Sequence, residues 1–181
     1  MKISLFQDVL KQISNKSVRD FTIQCLKDAP EILESIPAST SAKYHPPTAR
    51  KEGGLVWHVN RACNIANMFF NAYQFTNVDI RGDIVLSALL LHDIGKKEKY
   101  GNDYSSYKNH PITASKMISK HKSMLPEKVF NLIQSCVIHH MGCWTPNSVK
   151  KPISKYNLLE LIVYNSDYIS AQPTFKLNSK G

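Results

Sequence analysis

The run Ile84-Val85-Leu86-Ser87-Ala88-Leu89-Leu90-Leu91 leads straight into His92-Asp93-Ile94-Gly95-Lys96, and no other stretch limits the fold as tightly. A segment apolar on every side predicts a helix at the centre of a core. Its end carries a carboxylate and an imidazole into that core. Burying such a pair costs several kcal/mol unless hydrogen bonds or a cation satisfy it. Gly95 predicts the helix stop, and Lys96 sets a cation just beyond. Alone, the pair would read as a polar cap on a core helix, but other histidines in the chain share its setting.

At 181 residues the chain has the length of one domain with a sizeable core. No segment reaches the roughly 18 consecutive apolar residues of a membrane span. The opening Met1-Lys2-Ile3-Ser4-Leu5-Phe6 lacks the apolar region and cleavage site of a signal peptide, so a soluble cytoplasmic protein is expected. Cys25, Cys63, Cys136 and Cys143 form no CxxC pair, and reduced thiols are expected. The net charge of +9 favours phosphate-bearing partners or simply a solvated surface. The basic residues form no long tract, which argues against a polybasic nucleic-acid arm.

Apolar periodicity predicts helices throughout. Two short ones fall in residues 1–28, the second capped by Ser17, and Pro30 opens a brief third through Ile36. Residues 37–54, with paired prolines and glycines, predict a long loop carrying Lys43, Tyr44, His45, Arg50 and Lys51, groups suited to an anionic ligand. Further helices are expected at Leu55–Tyr73, at Arg81 to about Asp93, from an Asn109 cap onward, from Pro126 to a stop at Gly142, and from Tyr156 to about Ala171. Nothing alternates as a strand, so the fold class is all-α. The expected organisation is N-terminal helices at 1–36, a core domain at 37–171 and a tail at 172–181.

Five of the seven histidines then join one ordered set with two aspartates: His58, His92-Asp93, His110, His139-His140 and Asp167. Each is predicted near a helix end or on an apolar helix, where an unpaired polar group is most costly. One metal ion would satisfy a few of them, and two would satisfy all seven. Imidazole and carboxylate suit borderline divalent ions such as Fe, Mn, Zn or Ni, and Asp93 is the natural bridge between two sites.

The order H…HD…H…HH…D resembles the metal-binding signature of the HD superfamily, in its two-metal variant. Gly53-Gly54-Leu55-Val56-Trp57-His58 resembles GGLxxH, and His92-Asp93-Ile94-Gly95-Lys96 resembles HDxGK. His139-His140-Met141-Gly142 and Asn165-Ser166-Asp167-Tyr168-Ile169-Ser170-Ala171 resemble the HHxG and xxDxxxA elements. The likeness covers roughly residues 37–171 and extends to small bacterial and phage HD proteins and to the HD domain of YhaM-type 3′-to-5′ exoribonucleases. It implies a single HD-type helical domain around a metal centre. His58, His92, Asp93 and Asp167 would hold one ion. Asp93 would bridge to a second held by His110, His139 and His140. Fe or Mn is expected, with Zn, Ni or Mg as alternatives. The sequence shows neither the OB-fold module of those exoribonucleases nor the GYP element of cyclic-di-GMP phosphodiesterases.

The chemistry implied is hydrolysis of a phosphoester in a nucleotide, cyclic nucleotide or short oligonucleotide by a metal-activated hydroxide. Asp93 and Lys96 are the expected catalytic residues, with Lys96 also holding a phosphate oxygen. Arg61 would bind a second oxygen or make a surface salt bridge. Lys43, Arg50 and Lys51 would close over the substrate. Trp144 would either stack on a base or be buried. The rival readings are a di-iron oxygenase on the same fold and a nucleotide-binding module without turnover. No membrane partner is expected, and a homodimer is left open.

Overall fold

The computed structural model describes residues 1–39, 45–75, 79–96 and 108–174. Among these residues every regular element is helical, in agreement with the all-α expectation: α1 (Gln7–Leu10), α2 (Lys16–Lys27), α3 (Gly54–Ala72), α4 (Ile80–Leu91), α5 (His110–Ser119), α6 (Glu127–His139) and α7 (Leu158–Ser170). Short 3-10 turns at Glu31–Glu34, Pro47–Arg50 and Gly142–Trp144 punctuate the connections.

The apolar run is α4, and every residue from Gly82 to Leu91 is buried. It starts at Asp79, whose carboxylate accepts from the Arg81 N–H at 2.9 Å. The helix packs against α2, α3, α6 and α7, so it presents no solvent face and needs no polar stripe. One continuous apolar cluster reaches from Phe6, Ile13 and Phe21 through Leu89 to Ile133 and Val163. The helices around α4 are amphipathic by contrast. In α3, Leu55, Val59, Ala62 and Ala66 are buried at helical spacing, as expected.

Several boundaries differ from the sequence expectation. The cap of α2 is Asn15, whose side chain accepts from the Val18 N–H at 3.1 Å, while Ser17 lies inside the first turn. Asn109 occupies the cap position of α5 without a side-chain cap bond. After Pro30 the chain makes a 3-10 turn in place of an α-helix. Gly142 ends α6 in the left-handed conformation, φ +57°, as a helix stop should. Gly95 does not adopt positive φ. Its need is for space: a Cβ there would lie 2.3 Å from the His110 carbonyl oxygen and 2.6 Å from the Ala114 nitrogen. The missing side chain lets the turn after α4 back directly onto the start of α5.

Asp83 is a second buried carboxylate on α4. It accepts from the Ser14 N–H at 2.9 Å, the Ser14 hydroxyl at 3.0 Å and the Asn15 N–H at 2.8 Å, clipping the N-terminal segment to the central helix. One turn on, Ser87 meets Thr22 of α2 at 2.7 Å. Asp83→Ala removes three bonds at once and is expected to lower unfolding free energy by about 1–3 kcal/mol. The check is a lower urea midpoint at unchanged slope.

Candidate metal centre

Four helix ends and the turn after α4 supply the site. His58 lies one turn into α3, His92 and Asp93 directly follow α4, His110 opens α5, His140 directly follows α6, and Asp167 sits in the last turn of α7. His58, His92, Asp93, His110 and His140 are all at least nine-tenths buried.

Asp93 is the point of convergence. Its Oδ2 lies 3.2 Å from His92 Nε2 and 3.9 Å from His58 Nε2. Its Oδ1 lies 3.0 Å from His110 Nε2 and 3.8 Å from His140 Nε2. Asp167 Oδ1 closes the first side, 2.9 Å from His58 Nε2 and 3.5 Å from His92 Nε2. His110 and His140 meet through their Nε2 atoms at 3.0 Å on the second.

The far nitrogens fix the tautomers. His92 Nδ1 donates to the Leu89 carbonyl at 2.6 Å, and His140 Nδ1 donates to the Val137 carbonyl at 2.7 Å. Both rings therefore bond the carbonyl three residues earlier on the helix that each one ends. The Ser170 hydroxyl donates to the Asp167 carbonyl at 2.8 Å and so accepts from His58 Nδ1 at 2.8 Å. Each ring thus turns Nε2 toward the carboxylates, which is how metal-ligating histidines are oriented.

The donors call for a cation. His92 Nε2 and Asp93 Oδ1 are buried and make no hydrogen bond of acceptable geometry. Burial opposes charge on His92, yet Asp93 and Asp167 outweigh it and push the ring up to about 10. Burial likewise opposes ionised Asp93, but His92 and Lys96 hold it well below the usual carboxylate range. His58, His92 and Asp167 form one group whose donor atoms all lie within 4.8 Å of one another, and His92, Asp93 and His140 form another. Imidazole nitrogen with carboxylate oxygen fits a borderline divalent ion at either place.

His139 is corrected. Consecutive helical residues point about 100° apart, and here only His140 turns inward. His139 Nδ1 faces the buried Glu160 carboxylate at 3.1 Å, and Nε2 faces the Val149 carbonyl at 3.1 Å. Its task is structural. Glu160 also takes Lys151 at 2.6 Å and completes a capping box with Asn157 at the start of α7.

Lys96 lies beside the centre as expected. Its ammonium is buried, 2.6 Å from Asp93 Oδ2 and 2.9 Å from the Ala38 carbonyl. Arg61 is buried, not on the surface: it lies over Trp57 at 5.0 Å and donates to the Gln172 carbonyl at 3.4 Å. Arg50 and Lys51 are exposed on the loop before α3, and Arg50 donates to the His45 carbonyl. Lys43 lies outside the described residues.

Sequence reasoning gave His45 no place in the cluster. Its ring packs edge-on against His58, centroids 5.4 Å apart, and its Nδ1 is buried without a hydrogen-bond partner. Burial, then the neighbouring His58, pulls it down to about 4. No helical spacing announces a residue brought in by a loop. Ser170 was equally hidden, although Asp167 and Ser170, at i and i+3, share one helix face.

The HD domain family profile matches residues 57–172, and the chain belongs to that family. Membership points to metal-dependent phosphohydrolase chemistry in general. No curated protein and no solved structure gives a significant match.

Two outcomes follow from the geometry. His139→Ala should keep the metal content of the wild type, whereas His110→Ala and His140→Ala should lower it, read by elemental analysis of purified protein. Metal loss on removing His139 would return it to the ligand set. A divalent ion must also displace the proton that the carboxylates hold on His92. Uptake near pH 8 should then release about one proton, and affinity should rise between about pH 6 and 9. Calorimetry in buffers of different ionisation enthalpy reads the proton directly.

Proposed function

We propose that this protein is a metal-dependent phosphohydrolase that cuts a phosphoester of a nucleotide, cyclic nucleotide or short oligonucleotide. The observation that carries this reading is the division of labour at Asp93, whose two oxygens face different sets of histidines. His58, His92, Asp93 and Asp167 would hold one divalent ion, and Asp93, His110 and His140 a second. By family resemblance iron or manganese is the ion we propose, with zinc, nickel or magnesium as alternatives, and the mixed imidazole and carboxylate donors accept any of these divalent ions. When bound, such a pair supplies Lewis acidity to a phosphoryl oxygen and makes a water nucleophilic at neutral pH.

The chain's own groups do the rest. Lys96 fixes the orientation of Asp93 and tethers it to the Ala38 carbonyl, so the central carboxylate stays aligned while substrate enters. The same ammonium is the donor we assign to a non-bridging phosphate oxygen. Arg50 and Lys51, exposed on the loop before α3, draw in an anion through charge. Arg61 serves the site from behind, holding the end of α7 just past Asp167.

Metal-loaded protein should release phosphate or nucleotide when offered mononucleotides, cyclic dinucleotides and short RNA or DNA, with manganese serving as well as iron. Lys96→Ala should lower kcat/KM by a factor of about 10²–10³ with metal content retained. Consumption of O₂ with an organic substrate, and no phosphoester cut, would establish the oxygenase reading. Nucleotide binding without turnover would establish a binding module.

A further inference from the structure

Trp144 is 60% exposed and Tyr168 is 44% exposed, so neither is the buried packing residue that is the commoner fate of an aromatic side chain. Their rings are parallel to within 12°, with centroids 6.4 Å apart. The row continues inward to Tyr164, 6.1 Å from Tyr168, and to Tyr156, 6.3 Å from Tyr164. Its inner end is anchored by the Tyr156 hydroxyl, which donates to the His139 carbonyl at 2.9 Å.

The pair is held firmly, and Tyr164, next in the row, stands three residues before Asp167 on the same side of α7. Tyr168 directly follows Asp167 on α7, and Trp144 closes the 3-10 turn that begins two residues after His140. A Cβ at Gly142 would come within 2.3 Å of the Tyr164 ring, so that turn is pressed onto α7 and fixes Trp144 against Tyr168. A cation stands at the rim: Lys150 Nζ donates to the Cys143 carbonyl at 2.6 Å, one residue before Trp144.

We propose that Trp144 and Tyr168 form a platform for the base of the substrate, so that a purine or pyrimidine stacks there while its phosphate lies at the His/Asp cluster. The inference rests on the phosphoester reading and assigns the nucleobase of such an ester to one aromatic surface. A flat π-faced group matches parallel rings, and an anionic tail matches the neighbouring cation and centre. An aliphatic partner would match neither. Stacking of this kind tolerates any base, so the platform selects nucleotides as a class without fixing the base.

The test compares a nucleoside monophosphate with ribose 5-phosphate, which lacks the base. Trp144→Ala should reduce the preference in kcat/KM for the nucleotide roughly 5- to 100-fold, mainly through KM, and Trp144→Phe should restore most of it. The chain has two tryptophans, so nucleotide-induced quenching of emission should disappear in Trp144→Phe, which leaves Trp57 as sole reporter. An unchanged preference with hydrolysis intact overturns the platform and leaves the phosphoester reading standing. If the wild type hydrolyses neither ester and none of the cyclic dinucleotides or short oligonucleotides, the phosphoester reading fails, and quenching by the nucleotide alone decides the platform. Circular dichroism confirms that the variants are folded.

Discussion

One carboxylate, buried among four imidazoles and one ammonium, sets the terms for the whole structure. Asp93 stays ionised at the end of an apolar helix because His92 and Lys96 offset its burial and His110 bonds to it, while His58 and His140 complete the ring within about 4 Å of its oxygens. Each partner comes from, or directly follows, a helix whose position is fixed by packing around α4. Moving any of these helices strands a charge, and a stranded buried charge is among the most damaging faults a core can carry. The fold and the centre are therefore one electrostatic problem solved together.

Much of this was legible in the residues. The all-round apolar character of 84–91 identified the central helix. The order of His58, His92-Asp93, His110, His140 and Asp167 identified side chains that the structure does bring together. Legibility stopped where direction matters. Two adjacent histidines look equivalent in a string, yet the helical turn sends His139 to Glu160 and leaves only His140 at the centre. The Asn157–Glu160 capping box is readable by its spacing, but the second use of Glu160 is not. Gly95 looked like a stop signal and proved to be a contact, because backbone proximity to residues as distant in the chain as His110 and Ala114 leaves no local trace. Asp83 was masked by the apolar run around it, and its partners Ser14 and Asn15 lie far upstream.

Loops account for the remaining gap. His45 reaches His58 only because the chain after Pro37 folds back, with Ala38 N–H donating to the Ala49 carbonyl at 2.9 Å. That same return brings the Ala38 carbonyl to Lys96. Ala38 and His45, both on the connection before α3, are thus part of the centre's wall.

His92 and His140 carry a consequence beyond ligation. Each caps the end of the helix it directly follows and spends its inner proton on the carbonyl three positions back. That bond exists only while the last turn is wound. Fraying either helix end by one turn would free the ring to rotate and to exchange tautomers, so helical order and donor alignment rise and fall in a single step. Amides near these two ends should accordingly exchange with solvent much more slowly than those at an ordinary helix terminus, where the last turn opens without consequence for anything else.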